Sequence, residues 1–259
     1  MSVMDKFRLE GRRACVTGGS RGLGFAMARG LAEAGADLIL VGREIGSLQT
    51  AREELTALGR RVDVLPADVG APGPSEDAAQ RVVDEWGPID ILINNVGGRR
   101  IDVPTESFPT ADWQRIIDLN LTSAFIWSRI VGGAMLPRGW GRVINVASIS
   151  GLIANRGIAG RSYETAKAAL LSFTRALAAD WATRGVTVNA IAPGGFLTDP
   201  NRRWFREKPE LKDTFESMVP MGRLGEPDEL APLAVYLASE ASSYMTGSTL
   251  VIDGGYTLW

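Results

Sequence analysis

The chain has 259 residues, 45% of them hydrophobic, enough to bury the core of one large α/β domain or two smaller ones. Its 28 basic and 30 acidic residues are interspersed and nearly cancel, which argues against nucleic acid or an anionic membrane surface as a partner. Histidine is absent and Cys15 is the single cysteine, so Cys/His metal clusters, an intrachain disulfide and any Ser-His-Asp or Cys-His nucleophile are excluded.

Met1 to Arg13 lacks an apolar stretch of signal-peptide length. The expected first strand is Ala14 to Thr17, with Cys15 a small core residue. It runs into Thr17-Gly-Gly-Ser-Arg-Gly-Leu-Gly24, which opens a helix over Leu23 to Ala34. Further strands are expected at Leu38 to Val41, Val62 to Leu65, Ile89 to Ile93, Arg142 to Val146, Thr187 to Ile191 and Leu250 to Ile252. Helical patterns fall at Ser47 to Leu58, Ser75 to Trp86 (with Ser75 as its cap), Asp112 to Leu136, Ser162 to Arg184 and Asp228 to Ala238. Apolar residues fill consecutive positions in most strands, which suits a sheet covered on both faces. Repeated β-α-β order then gives an α/β fold: a single-domain, Rossmann-type, doubly wound, seven-stranded parallel sheet with helices on both faces, spanning 1–259.

One stretch breaks the rhythm. Residues 194–227 hold Phe196, Phe205, Phe215 and Met218 among many charges, and an insertion after a strand's carboxyl end is where an open α/β sheet keeps its ligand. It is read as a substrate cover, against the plainer reading of a surface helix pair. No run of about 18 apolar residues exists to span a bilayer. A soluble, cytoplasmic protein acting on a small molecule is expected, with no nucleic-acid or membrane partner and no metal.

Without histidine, proton transfer has to use Tyr, Lys, Asp, Glu or water. Tyr163 and Lys167, four residues apart, share one helix face. A free tyrosine titrates near ~10, and a neighbouring ammonium favours its phenolate. Gly18, Gly22 and Gly24 lie between strand and helix, where absent side chains let backbone N–H groups at a helix N-terminus approach a pyrophosphate.

Several motifs occur in order over nearly the whole chain: Thr17 to Gly24, Asp68, Asn94-Asn-Val-Gly97, Asn120, Ser148, Tyr163 with Lys167, Pro193-Gly194 with Thr198, and Asp253-Gly-Gly255. The set resembles the short-chain dehydrogenase/reductase family, in particular its gluconate 5-dehydrogenase and 3-oxoacyl reductase branch. Two departures stand out: Val96 replaces the usual Ala, and Gly151 to Tyr163 is about two residues longer than common. Counting forward from Asn145 makes Ser148 the catalytic serine, whereas counting back from Tyr163 makes it Ser150. Ser148 is preferred because Gly151 then falls into its family position.

The resemblance implies an oxidoreductase that interconverts a secondary alcohol and a ketone by hydride transfer to or from NADP or NAD. It implies that Tyr163 is the general acid/base, Ser148 a donor to the substrate oxygen, Lys167 a tuner of Tyr163, and Asn120 the holder of a water leading to solvent. Cofactor contacts would come from Gly18, Ser20, Arg21, Gly22, Leu23, Gly24, Arg43, Asp68, Val69, Asn94, Gly97, Tyr163, Lys167, Pro193, Gly194 and Thr198. Asn94 has a second reading as a brace of the central sheet. NADP is favoured over NAD because Gly42 stands where NAD users carry an acid, and Arg43 and Arg21 add cations. Substrate contacts are expected from Ser148, Ser150, Tyr163, Arg99 and Arg100, with Arg156, Arg161, Arg202, Arg203 and Arg206 adding charge suited to an anion such as a sugar acid. The alternatives are a 3-oxoacyl-[acyl-carrier-protein] reductase and, in another class, a non-catalytic dinucleotide-binding regulator. The family also implies a homotetramer.

Overall fold

The computed structural model describes residues 2–98, 101–155 and 161–258, without the side chains of Trp204, Pro209 and Leu211. Its strands are β1 (Arg13–Thr17), β2 (Asp37–Gly42), β3 (Val62–Pro66), β4 (Ile91–Asn94), β5 (Gly141–Val146), β6 (Val186–Pro193) and β7 (Thr249–Ile252). They form one sheet in the order β3-β2-β1-β4-β5-β6-β7, and every pairing is parallel. The helices are α1 (Gly22–Glu33), α2 (Ile45–Thr56), α3 (Pro72–Trp86), α4 (Thr110–Ile117), α5 (Ser123–Trp127), α6 (Ser162–Trp181), α7 (Asp199–Glu207), α8 (Pro209–Ser217) and α9 (Ala231–Ala238).

The uninterrupted apolar character of the strands has a direct cause. Successive side chains point to opposite faces, and both faces are covered. Ala14, Val16, Leu38, Leu40, Ile91 and Ile93 pack with Met27, Leu31 and Leu48 on one side. Cys15, Ile39, Val41 and Leu92 pack with Val82, Trp127 and Trp181 on the other. β1 pairs with β2 on one edge and β4 on the other, so the crossovers diverge there. A crevice opens above the carboxyl ends of strands at such a switch point.

Three elements depart from the sequence reading. Helix α3 starts at Pro72 with Ala71 as N-cap, because proline tolerates the first helical position, where its missing N–H is not needed. Ser75 is therefore not a cap; it is fully buried inside the helix and accepts a hydrogen bond from Trp127 Nε1 at 3.0 Å. Strand β4 begins at Ile91, since Asp90 is held by ion pairs with Arg12 and Arg138 and by the Arg13 backbone N–H. The long helix expected over Asp112 to Leu136 is wound unevenly, with π turns at Asp118–Thr122 and Ser128–Gly132 and a 3₁₀ stretch at Gly133–Arg138.

Residues 194–227 contain α7 and α8, joined by an edge-on contact between Phe205 and Phe215 with ring centroids 6.0 Å apart. Phe205, Val219 and Leu224 form a small apolar cluster beneath the pair. Among the described residues, no helix is long and apolar enough to cross a membrane.

Candidate active site

Strand β1 delivers the chain into a turn that only glycine can make. Gly18 and Gly22 have φ of +65° and +58°, a region side chains disfavour. Gly24 is required by proximity: a Cβ there would lie 2.2 Å from the Gly18 carbonyl oxygen and 2.5 Å from Asn95 Nδ2. The N-cap of α1 is Arg21 in extended conformation, and no side chain caps the helix start. Its first N–H groups therefore face the crevice as an anion cradle.

Sequence reasoning missed the residue that fixes this turn. Asn95 Nδ2 donates to the Thr17 carbonyl at 3.0 Å and lies 3.2 Å from the Gly18 carbonyl, while its backbone N–H donates to Thr17 Oγ1 at 3.0 Å. The signal was present in the Asn94-Asn95 pair, but the two asparagines divide the work. Asn94 is buried, and its Nδ2 donates to Asn145 Oδ1 at 2.9 Å and Ser128 Oγ at 3.1 Å. Asn145 continues the chain to Thr174 Oγ1 at 2.9 Å. Of the two roles open to Asn94, its side chain performs the bracing of β4 against β5.

A cleft of about 540 Å³ runs from Gly18, Ser20 and Arg21 past Gly42, Arg43 and Glu44 to Asp68, Val69, Asn95 and Gly97. Gly42 ends β2, and a Cβ on it would come within 3.6 Å of Ser20 Oγ, so no acid projects from that position. Arg115, which the sequence did not single out, lines the same cleft from α4 while pairing with Asp112 at 3.2 Å. Asp68 Oδ1 accepts the Gly70 N–H at 3.0 Å, fixing the opposite rim. Thr198 stands beside the glycine turn, with its Cγ2 3.6 Å from where a Gly22 Cβ would be. Pro193 closes β6, and the Gly194 N–H donates to the Ile252 carbonyl at 2.9 Å. A missing Cβ at each of Gly18, Gly24 and Gly97 shapes one continuous floor, which fits a dinucleotide.

Gly97 joins this cleft to the acid/base residues. A Cβ on Gly97 would fall 2.7 Å from Lys167 Nζ and 2.9 Å from Asn120 Oδ1. Asn120 is buried in the π turn at Asp118–Thr122. It accepts the Gly98 N–H at 2.8 Å and donates to the carbonyls of Gly98 at 3.1 Å and Ile116 at 2.9 Å. On α6, Lys167 Nζ sits 5.9 Å from the Tyr163 ring centroid and donates to the Val146 carbonyl at 2.8 Å. Burial pulls the Lys167 pKa down to about 7, because the protein interior penalises the ammonium.

Ser148 follows β5 in extended conformation and caps a 3₁₀ turn over Ile149–Gly151, its Oγ accepting the Ser150 N–H at 3.1 Å. Gly151 seats this turn on α6, since a Cβ there would lie 2.8 Å from the Lys167 carbonyl carbon. Ser148, Tyr163 and Lys167 are thus brought to the carboxyl ends of β4 and β5. Arg99, Arg100 and Arg156 lie outside the described residues. Arg202 is held by Glu226.

A family model described as "Enoyl-(Acyl carrier protein) reductase" matches residues 18–257. The chain is 43% identical over 262 residues to galactitol 2-dehydrogenase (L-tagatose-forming) of Cereibacter sphaeroides, covering 100% of both chains. The chain belongs to the short-chain dehydrogenase/reductase family. It is 38% identical to gluconate 5-dehydrogenase of Gluconobacter oxydans, covering 100% of this chain and 99% of the other. A crystal structure of a gluconate 5-dehydrogenase from Burkholderia cenocepacia J2315 in complex with NADP and tartrate is 36% identical and superposes over 100% of both chains with a TM-score of 0.91. As a short-chain dehydrogenase/reductase, the chain is an oxidoreductase acting on CH–OH groups.

Proposed function

We propose that this chain is an NADP-dependent dehydrogenase interconverting a secondary alcohol and a ketone on a small polyol or sugar acid. The observation that carries the reading is the buried Lys167 on one helix face with Tyr163, set against Gly97 at the end of the glycine-floored cleft. When bound, the nicotinamide accepts or supplies the hydride. Tyr163 takes the hydroxyl proton as the carbon becomes a carbonyl and returns it in the reverse direction. Ser148 donates to the same oxygen and stabilises the charge that develops there. A protonated Lys167 lowers the energy of the Tyr163 phenolate, and Asn120, anchored in the π turn, bounds the other side of that ammonium.

NADP is preferred in this reading because Arg21 and Arg43 line the cleft and no acid extends from Gly42. The bound NADP of the Burkholderia relative supports it. The polyol or sugar-acid class rests on the galactitol and gluconate relatives. A single domain with α7 and α8 as the substrate cover, a cytoplasmic location and a homotetramer complete the proposal.

The test is a panel of polyols, sugar acids and 3-oxoacyl thioesters assayed with NADP and with NAD. Turnover of a polyol or sugar acid is expected, and it should fall by at least about 10²-fold in Tyr163→Phe with cofactor affinity retained. Activity confined to acyl thioesters would overturn the substrate class, and undiminished activity of Tyr163→Phe would overturn the proton role.

A further inference from the structure

The residues just before and after Tyr163 form a hydrogen-bonded group that the mechanism above does not use. Glu164 is buried on α6 at 8% exposure, an unusual place for a carboxylate. Its Oε1 accepts from Asn155 Nδ2 at 3.2 Å and from Arg161 Nη1 at 3.3 Å. The same Arg161 nitrogen also donates to the Asn155 carbonyl at 3.0 Å, closing a ring of three residues. Asn155 Nδ2 donates in addition to Ser150 Oγ at 2.9 Å. Ser150 is in turn tied to Ser148, whose Oγ accepts the Ser150 N–H. The chain of contacts therefore runs from a buried ion pair to the serine beside the one that meets the reacting oxygen.

The polarity of this chain is fixed by chemistry. A carboxylate only accepts, so Asn155 must present its NH₂ to Glu164. That NH₂ then also donates to Ser150, and the Ser150 oxygen serves as acceptor on that side. Its own O–H is directed away from Asn155. Two hydroxyls, on Ser148 and Ser150, thus sit two residues apart at the strand end, the second with its orientation set from behind.

We propose that Asn155 and Glu164 are positioning residues that aim the Ser150 hydroxyl at a second oxygen of the substrate, so that the enzyme selects alcohols carrying a hydroxyl on the carbon next to the one oxidised. This rests on the polyol reading above and narrows it to vicinal diols. Ser148 binds the reacting oxygen and Ser150 its neighbour. The Arg161 guanidinium neutralises Glu164 and keeps an uncompensated buried charge away from Tyr163. A site built to hydrogen-bond a substrate hydroxyl discriminates against the analogue lacking it, because its own polar groups are then left unpaired.

The experiment compares kcat/KM for galactitol and for its deoxy analogue lacking the hydroxyl adjacent to the carbon oxidised, in the wild-type protein, Asn155→Ala, Glu164→Ala and Glu164→Gln. The wild type should prefer galactitol by about tenfold or more. Asn155→Ala, in a half-buried loop where folding is not at risk, should bring that ratio close to one, mainly through KM for galactitol, with unchanged cofactor affinity. Glu164→Ala should do the same, and Glu164→Gln, whose amide oxygen still accepts from Asn155, should recover most of the discrimination. A ratio unmoved in Asn155→Ala overturns the inference while leaving the polyol reading intact. Equal loss on both substrates together with loss of cofactor affinity would make the group merely structural and also overturn it. A wild-type protein that oxidises no polyol or sugar acid overturns both.

Discussion

Replacing Lys167 by methionine should make the protein more stable and nearly inactive, and the two effects have one origin. Burial lowers the Lys167 pKa from 10.5 to about 7. At about 1.4 kcal/mol per pH unit, keeping that charge inside at neutral pH costs roughly 5 kcal/mol. The ammonium donates to the Val146 carbonyl, and a hydrogen bond involving a charged group returns about 1.5–3 kcal/mol. Methionine fills a similar volume without a charge, so Lys167→Met should gain roughly 2 to 3 kcal/mol near pH 7, or about 4–12 °C in Tm for a chain of this size. The unfolded lysine binds its proton below 10.5 and the native one only below about 7, so between these values unfolding takes up a proton and the wild type grows more stable as pH rises. The Tm gap should be widest and constant below pH 7 and should close toward pH 10. Thermal unfolding of the cofactor-free proteins across that range measures it, and turnover of the variant should be down at least about 10²-fold. A gap independent of pH would refute the argument from burial.

Arg43→Asp should raise KM for NADP by about 10- to 100-fold, the worth of one charge-assisted hydrogen bond to a phosphate, and should shift preference toward NAD; an unchanged ratio of the two KM values would show that Arg43 does not read the cofactor. In Gly24→Ala the new methyl meets the Gly18 carbonyl oxygen and Asn95 Nδ2, so the turn has to shift at about 1–3 kcal/mol, and dinucleotide affinity measured by fluorescence of the reduced nicotinamide should fall about tenfold or more. Asn94→Ala removes the donor to Asn145 and Ser128 and should lower stability by about 1–3 kcal/mol, seen in denaturant unfolding, with a smaller effect on dinucleotide affinity; the reverse pattern would return Asn94 to the cofactor.

The strands were legible because a sheet covered on both faces needs apolar residues at every position, and Cys15 and Leu92 on one side match Ala14 and Ile91 on the other. The glycine turn and the Tyr163–Lys167 pair were legible because both are local, fixed by spacing along one strand-turn-helix unit or one helix face. What escaped depends on distant partners. Asn95 acts on backbone 77 and 78 residues away, and Ser75 is claimed by an indole 52 residues on. Arg115 reaches the cleft only because α4 is carried there by the fold. The π turns cannot be read from apolar periodicity, which treats every turn as equally wide. The ring of Asn155, Arg161 and Glu164 depends on how the stretch ahead of α6 folds back on it, and no residue pattern announces that.

The π turn at Asp118–Thr122 carries one further consequence. An extra residue has been accommodated there without lengthening the helix by a full turn, and Asn120 lies inside it. Each residue of an ordinary helix advances by about 100°, so excising one residue from this stretch would let the helix relax to regular winding and swing everything beyond it around its axis. The amide that now borders Lys167 would then face elsewhere while the rest of the fold stayed whole. The length of this segment is thus a catalytic dimension of the protein, as much as the identity of any side chain on it.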